Sequence, residues 1–181
     1  MIKDITEKLF LCEDNYPFAD KVNPILYQQI RSSYDIGGQS KPSNINAHFT
    51  GWDFKSKEVS NLVRWIGDLI TRDFGNIQPR NLNFKCSELW GVLYKPGDYI
   101  TQHNHSPSLF SFAYYVNAPK GSSPLVFTTS GKKIKPEAGK VVIFESRLNH
   151  KVPSNNCNDR CVISGNFIYE SDGGVYLKHG Y

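Results

Sequence analysis

The sequence predicts an antiparallel β-sandwich or barrel buttressed on one side by helices, built as a single domain. Three observations predict it. Apolar residues recur at helical spacing between positions 56 and 74, short β-type runs follow Pro79 with turn residues between them, and the helices precede the strands instead of alternating with them. A chain of 181 residues with 39% hydrophobic content has the size for one proper core rather than two.

The helix at 56–74 is the strongest local signal. Val59, Leu62, Val63, Ile66, Leu69 and Ile70 fall on one face; Ser56 can cap the start, Glu58 suits the positive end, and Gly75 follows as a left-handed stop. A weaker helix is expected from about Asn23 to Ser33, with Pro24 in its first turn. Between them, Gly37 to Asn44 is rich in turn formers and long for a connector, so a mobile loop or lid is expected over 36–46. Helical support is thus placed at about 1–78 and the β-core at about 79–170. The strands are expected at 84–94, 99–103, 109–117, 124–128, 140–145 and 160–169. Turns separate them at Lys95-Pro96-Gly97-Asp98, Ala118-Pro119-Lys120-Gly121, Gly131-Lys132-Lys133 and Pro136-Glu137-Ala138-Gly139.

Composition narrows the class of protein. A net charge of +4 is modest, and the one basic cluster, Lys132, Lys133 and Lys135, reads as a solvated hairpin tip, which argues against a nucleic-acid partner. Tyr16 and Phe18 are read as core or interface residues rather than base-stacking ones. No stretch reaches membrane-spanning length and residues 1–8 carry charges where a secretory signal needs an apolar run, so a soluble, cytoplasmic protein is expected. Four cysteines at irregular spacing form no disulfide framework, and Cys161 is expected to be simply buried.

The chemistry-bearing pattern is His103-Asn104-His105, then His150, then Arg160. Alternation on a strand or its extended end turns His103 and His105 to one side, roughly 6 to 7 Å apart at Cα. His150 follows the β-run 141–144, so the three can converge from neighbouring strands as a facial metal site with open positions. Three neutral imidazoles suit zinc as well as iron, and the ligands alone leave the metal open. Arg160 opens a β-run in which Arg160, Val162, Ser164 and Asn166 face one way. Pointing inward, its guanidinium needs an anionic partner and matches a carboxylate bidentately; at the rim it would form an ordinary surface ion pair. His48 and His179 read as surface or satisfied core histidines.

Four ordered segments carry a resemblance. They are Tyr94-Lys95-Pro96-Gly97-Asp98 through His103-Asn104-His105, then Phe112-Ala113-Tyr114-Tyr115-Val116-Asn117. Ile134 through Phe144 and His150 through Ser164 complete the set. Over about residues 90–167 the chain resembles the iron(II)- and 2-oxoglutarate-dependent dioxygenases, in their prolyl-hydroxylase-like branch. It also looks like oxygenases from phages and bacteria that share an H-x-H motif and whose substrates are poorly defined.

The resemblance implies a double-stranded β-helix, the jelly roll of cupin-like proteins. It implies that His103 and His150 hold iron(II), with His105 where the family usually has Asp or Glu. It further implies that Arg160, Tyr115 and Ser164 bind the distal carboxylate of 2-oxoglutarate, with Tyr94 near its metal-bound end. The implied activity is hydroxylation of a C–H bond using dioxygen and 2-oxoglutarate, with ascorbate as an auxiliary reductant and a peptide or protein side chain such as proline as substrate. Imidazole in place of carboxylate leaves the site one unit more positive. The alternatives are a three-histidine cupin-type metalloenzyme that does not use 2-oxoglutarate, and a non-catalytic jelly-roll accessory protein.

Overall fold

The computed structural model describes residues 9–35, 42–52, 54–74 and 83–170. The first part of the chain gives β1 (Leu11–Asn15), α1 (Ala19–Asp35), β2 (Ile45–Asn46), β3 (His48–Phe49) and α2 (Lys57–Phe74). The second part gives β4 (Asn83–Tyr94), β5 (Tyr99–His103), β6 (Phe110–Asn117), β7 (Leu125–Phe127), β8 (Lys133–Ile134), β9 (Lys140–Glu145), β10 (His150–Val152) and β11 (Arg160–Glu170).

The strands form two antiparallel sheets, one of six strands in the order β1-β9-β6-β11-β4-β3 and one of five in the order β2-β5-β10-β7-β8. This is the expected jelly roll, with all six expected strands present close to their predicted ends. The six-stranded sheet has two buried faces because it is the middle layer. On one face Phe110, Phe112, Tyr114, Cys161, Ile163 and Phe167 pack against Leu26 and Ile30 of α1 and Leu62, Ile66 and Ile70 of α2. On the other face Val92, Tyr94, Tyr115, Val142, Phe144 and Val162 meet Leu125, Phe127 and Val152 of the smaller sheet. Burial on both faces explains why β6 and β9 read as near-continuous apolar runs instead of alternating.

Helix α2 starts as expected, with the Val59 amide donating to Ser56 Oγ at 3.2 Å. Gly75 lies outside the described residues. Helix α1 begins four residues earlier than expected, at Ala19, so Pro24 sits inside the helix and not in its first turn. The turn at Tyr16–Phe18 starts it, since the Phe18 carbonyl accepts from Lys21 and Val22 at 3.1 Å each. Gly139 makes this junction possible. It has a φ of 89°, its carbonyl accepts the Tyr16 amide, and a Cβ there would stand 2.8 Å from that of Ala19.

The first 78 residues are not purely helical, which corrects the division expected from sequence. β1 adds to the edge of the main sheet, register Leu11↔Phe144 to Asn15↔Lys140. Of the expected lid, residues 36–41 lie outside the description, whereas Ile45 and Asn46 are strand β2, paired with Ile100 and Tyr99. Lys133 belongs to β8 and not to a turn, and Lys132, Lys133 and Lys135 are all exposed around that hairpin. Tyr16 is buried against Trp65 and Tyr114, while Phe18 is exposed. Cys161 is fully buried and the described cysteines are free thiols. Among the described residues no helix is long and apolar enough to cross a membrane.

Candidate metal centre and anion pocket

His103 closes β5 and His150 opens β10, and the two are register partners across the antiparallel pair. His105 follows the end of β5, where its amide donates to the Ser146 carbonyl at 2.8 Å. The three side chains converge, with one ligand atom from each lying within 4.8 Å of the others. Ring centroids stand 4.4 Å apart for His103 and His150, 4.8 Å for His103 and His105, and 5.1 Å for His105 and His150.

Two of the three rings are held in a defined tautomer. His103 Nδ1 lies 2.8 Å from the Thr101 carbonyl and His150 Nδ1 lies 2.8 Å from the Leu148 carbonyl. A carbonyl can only accept, so each Nδ1 carries the proton and each Nε2 presents its lone pair to the centre. The His105 ring has no hydrogen-bond partner among the described residues and rests against Trp90 at 5.7 Å. Burial lowers the pKa of all three. His105 is pushed down to about 3 by burial and then by its two neighbours, and His150 to about 4 by burial and then by His103. At neutral pH the cluster is therefore three neutral imidazoles, the form that binds a divalent ion.

A cavity of about 270 Å³ runs from this cluster into the space between the sheets. Arg160 lies at its deep end, 1% exposed. Its Nε donates to the Ser123 carbonyl at 3.2 Å, and its guanidinium lies 4.2 Å from the Tyr94 ring centroid and 5.6 Å from that of Tyr115. No carboxylate among the described residues pairs with it, and Nη1 is buried without a hydrogen-bond partner. The Tyr115 hydroxyl is also buried without a partner of normal geometry, although the Leu125 backbone lies close. Burial pushes that phenol up to about 12, against the opposing pull of Arg160, so it remains a neutral donor. Ser164 lines the same cavity, opposite Trp90 and Ala113 in register.

Asn155 braces the turn that holds Arg160. Its Nδ2 donates to the carbonyls of Cys157 at 2.6 Å and Lys95 at 3.3 Å, and its Oδ1 accepts the Ser123 amide at 3.2 Å. Three turns are thereby tied together directly behind the carbonyl that holds Arg160. The cavity's other end opens between Asn44, Trp52 and Asn104, of which Trp52 is 46% exposed.

The structure thus brings His103, His105 and His150 together and places Tyr94, Tyr115, Ser164 and Arg160 around one cavity. Tyr94 lies against Arg160 at the deep end, whereas the resemblance assigns it to the metal-bound end. The inward direction of Arg160, left open by the sequence, is settled by its burial. His48 has the ordinary reading, bonded to Ser33 Oγ at 2.9 Å and packed on Tyr34. His179 is outside the described residues. The residues missed by the sequence reading are Trp52, Trp90, Asn104 and Asn155, together with the Thr101 and Leu148 carbonyls. The two carbonyls leave no trace in residue type, but each stands two positions before its histidine, a spacing that an extended strand end makes available.

No family profile matches the chain, and no characterised protein sequence matches it either. Solved structures do. A viral collagen prolyl hydroxylase from Paramecium bursaria Chlorella virus-1, in complex with 2-oxoglutarate, superposes with a TM-score of 0.67 at 17% identity, covering 87% of this chain and 94% of that one. A prolyl-4-hydroxylase from Pseudomonas putida gives 0.66 at 18% identity, covering 89% and 93%. A prolyl hydroxylase from Trichoplax adhaerens, in complex with a hypoxia inducible factor oxygen degradation domain peptide fragment, gives 0.66 at 18% identity, covering 87% and 83%. The chain has the jelly-roll fold of the 2-oxoglutarate and iron(II) oxygenases and carries three histidines clustered within it.

Proposed function

We propose that the protein is an iron(II)- and 2-oxoglutarate-dependent dioxygenase that hydroxylates a C–H bond, on a peptide or protein side chain such as proline. The observation that carries the reading is Arg160, a fully buried cation with an unpaired Nη1 and no carboxylate partner among the described residues, opening on the same cavity as three neutral imidazoles. A buried guanidinium without an anion is costly, so this one is built to receive one. The donor set also fits a divalent ion, because two of its rings already present Nε2 inward. The peptide substrate draws support from the peptide complex of the Trichoplax structure.

His103, His105 and His150 would hold the metal. Arg160, Tyr115 and Ser164 would take the distal carboxylate of 2-oxoglutarate, and the Tyr94 ring supports the guanidinium from 4.2 Å. Bound there, iron(II) and 2-oxoglutarate supply the activation of dioxygen, coupling decarboxylation to succinate with insertion of one oxygen atom into the substrate. The chain itself contributes orientation and dryness. Leu125, Phe144, Val152 and Val162 wall the cavity, which strengthens the carboxylate's attraction to Arg160 relative to water. Ascorbate would serve as the auxiliary reductant.

Calorimetry with manganese(II) in place of iron tests this directly. 2-Oxoglutarate binds the loaded wild-type protein, and succinate forms with iron(II) in air. Absence of both overturns the reading. Activity with zinc and none with iron would instead assign the three-histidine centre to an enzyme whose acidic substrate meets Arg160 itself.

A further inference from the structure

His105 is the first ring of an aromatic series that ends in solvent. Its centroid lies 5.7 Å from that of Trp90, and the Trp90 indole lies 4.9 Å from that of Trp52 at an interplanar angle of 72°. Trp90 is 4% exposed and Trp52 is 46% exposed. Both indoles are fixed by the sheet: Trp90 stands in β4 opposite Ser164, and the Trp52 carbonyl accepts the Leu89 amide at 3.1 Å. Phe49 packs against Trp52 from the protein side at 5.0 Å. The rings packed on His150 are Phe144 at 4.8 Å and Phe127 at 6.2 Å.

These two sides differ chemically. A benzene ring gives up an electron only to the strongest oxidants, whereas an indole is among the most readily oxidised side chains in proteins. Rings in near contact also exchange electrons faster than a reactive oxidant can diffuse away. The one oxidisable route in ring contact with the histidines, among the described residues, therefore runs from His105 through Trp90 to Trp52 and out.

We propose that Trp90 and Trp52 form an electron-donating path that discharges oxidising equivalents from the metal site when dioxygen is consumed without substrate. This rests on the oxygenase reading above. In each discharge the Trp90 indole would give one electron to the metal site and recover one from Trp52. The oxidised Trp52 releases its N–H proton to water and becomes a neutral radical. An ene-diol reductant of the ascorbate type returns one electron and one proton at the surface. Without it a second discharge takes another electron from the radical, and water adds to the ring with loss of a proton, leaving a hydroxylated indole. The half-exposure of Trp52 has a use in this scheme, since reductant must reach it.

Peptide mass spectrometry tests the path in two arms. In the first, protein with iron(II), 2-oxoglutarate and air, but no substrate, accumulates oxygen on Trp52 ahead of every other residue, and ascorbate suppresses it. Trp52→Phe moves the modification to Trp90 and cuts the number of turnovers before inactivation severalfold. In the second, hydrogen peroxide replaces 2-oxoglutarate and dioxygen, delivering oxidising equivalents to bound iron directly. Trp52 is again marked, and His150→Ala removes the mark while leaving Trp52 equally exposed. Succinate without preferred oxidation of Trp52, or oxidation that His150→Ala does not change, overturns the path. Absence of succinate with a metal-dependent mark in the peroxide arm overturns the oxygenase reading and leaves the path standing.

Discussion

Asn104, the residue between the two histidines of the His-x-His run, donates its side-chain amide to Oδ1 of Asn149, the residue before His150, at 3.0 Å. Asn104 Oδ1 also accepts the Ser106 amide at 3.1 Å, and the Asn149 carbonyl accepts the Thr128 amide at 2.9 Å. The two segments that bear the histidines are thus fastened to each other independently of any metal.

Removing that fastening should loosen the metal. Asn104→Ala is expected to weaken manganese(II) binding about 10-fold or more, the usual effect of losing a group that orients metal ligands. His103→Ala, by contrast, abolishes binding in the same titration. Equal affinities for wild type and Asn104→Ala would show that the pair is incidental.

Arg160→Met should separate ligand binding from stability. The variant loses a buried, unpaired cation, so the ligand-free protein is expected to melt at a temperature equal to or above that of wild type. 2-Oxoglutarate affinity with manganese(II) present falls about 100-fold or more, the scale of two charge-assisted hydrogen bonds. A lower melting temperature with unchanged affinity would contradict both halves.

Tyr115→Phe is a smaller version of the same trade. It deletes a hydroxyl that has no partner in the ligand-free protein, so the melting temperature holds or rises. 2-Oxoglutarate affinity drops about 10-fold or more, the scale of one hydrogen bond to a charged acceptor. Calorimetry beside a thermal melt reads both.

His105→Asp restores a carboxylate to the metal site. Hard oxygen donors suit manganese and magnesium better than imidazole does, so the ratio of manganese to zinc affinity should rise. An unchanged ratio would mean that residue 105 does not ligate.

Leu62→Ala tests the layer behind the sheet. Leu62 is fully buried between α2 and the six-stranded sheet, and truncation is expected to cost about 2–5 kcal/mol in chemical denaturation. Metal affinity of the folded variant stays unchanged, because the histidines belong to the smaller sheet and the segment that follows β5.

The strands of the core were legible because their signals are local. Pro-Gly and Gly turns bound them, and β6 and β9 are near-continuous apolar runs because both faces of their sheet are covered. β1 was not legible: Leu11-Cys12-Glu13-Asp14-Asn15 is mixed in character and is made a strand only by pairing with β9, far away in sequence. The start of α1 was misjudged because Pro24 reads as a first-turn residue and the turn that starts the helix lies in a Pro-Phe pair. At the site, residue order exposed the histidines and Arg160, whose chemistry needs those side chains. The backbone carbonyls that orient two of the rings carry no sequence signature, and neither do Trp90 and Trp52, which the fold brings against His105 and against each other.

The burial of Arg160 bears on the order in which ligands bind. Among the described residues that line the cavity, Arg160 is 1% exposed whereas Trp52 is 46% exposed and Asn104 is exposed, so a ligand is expected to enter on the side of the histidines. A ligand for Arg160 must then arrive before anything that fills this mouth, and it cannot leave while the mouth is filled. The expected order is therefore a queue, with the guanidinium's partner first in and last out. A competitor that blocks the mouth alone would trap that partner rather than displace it.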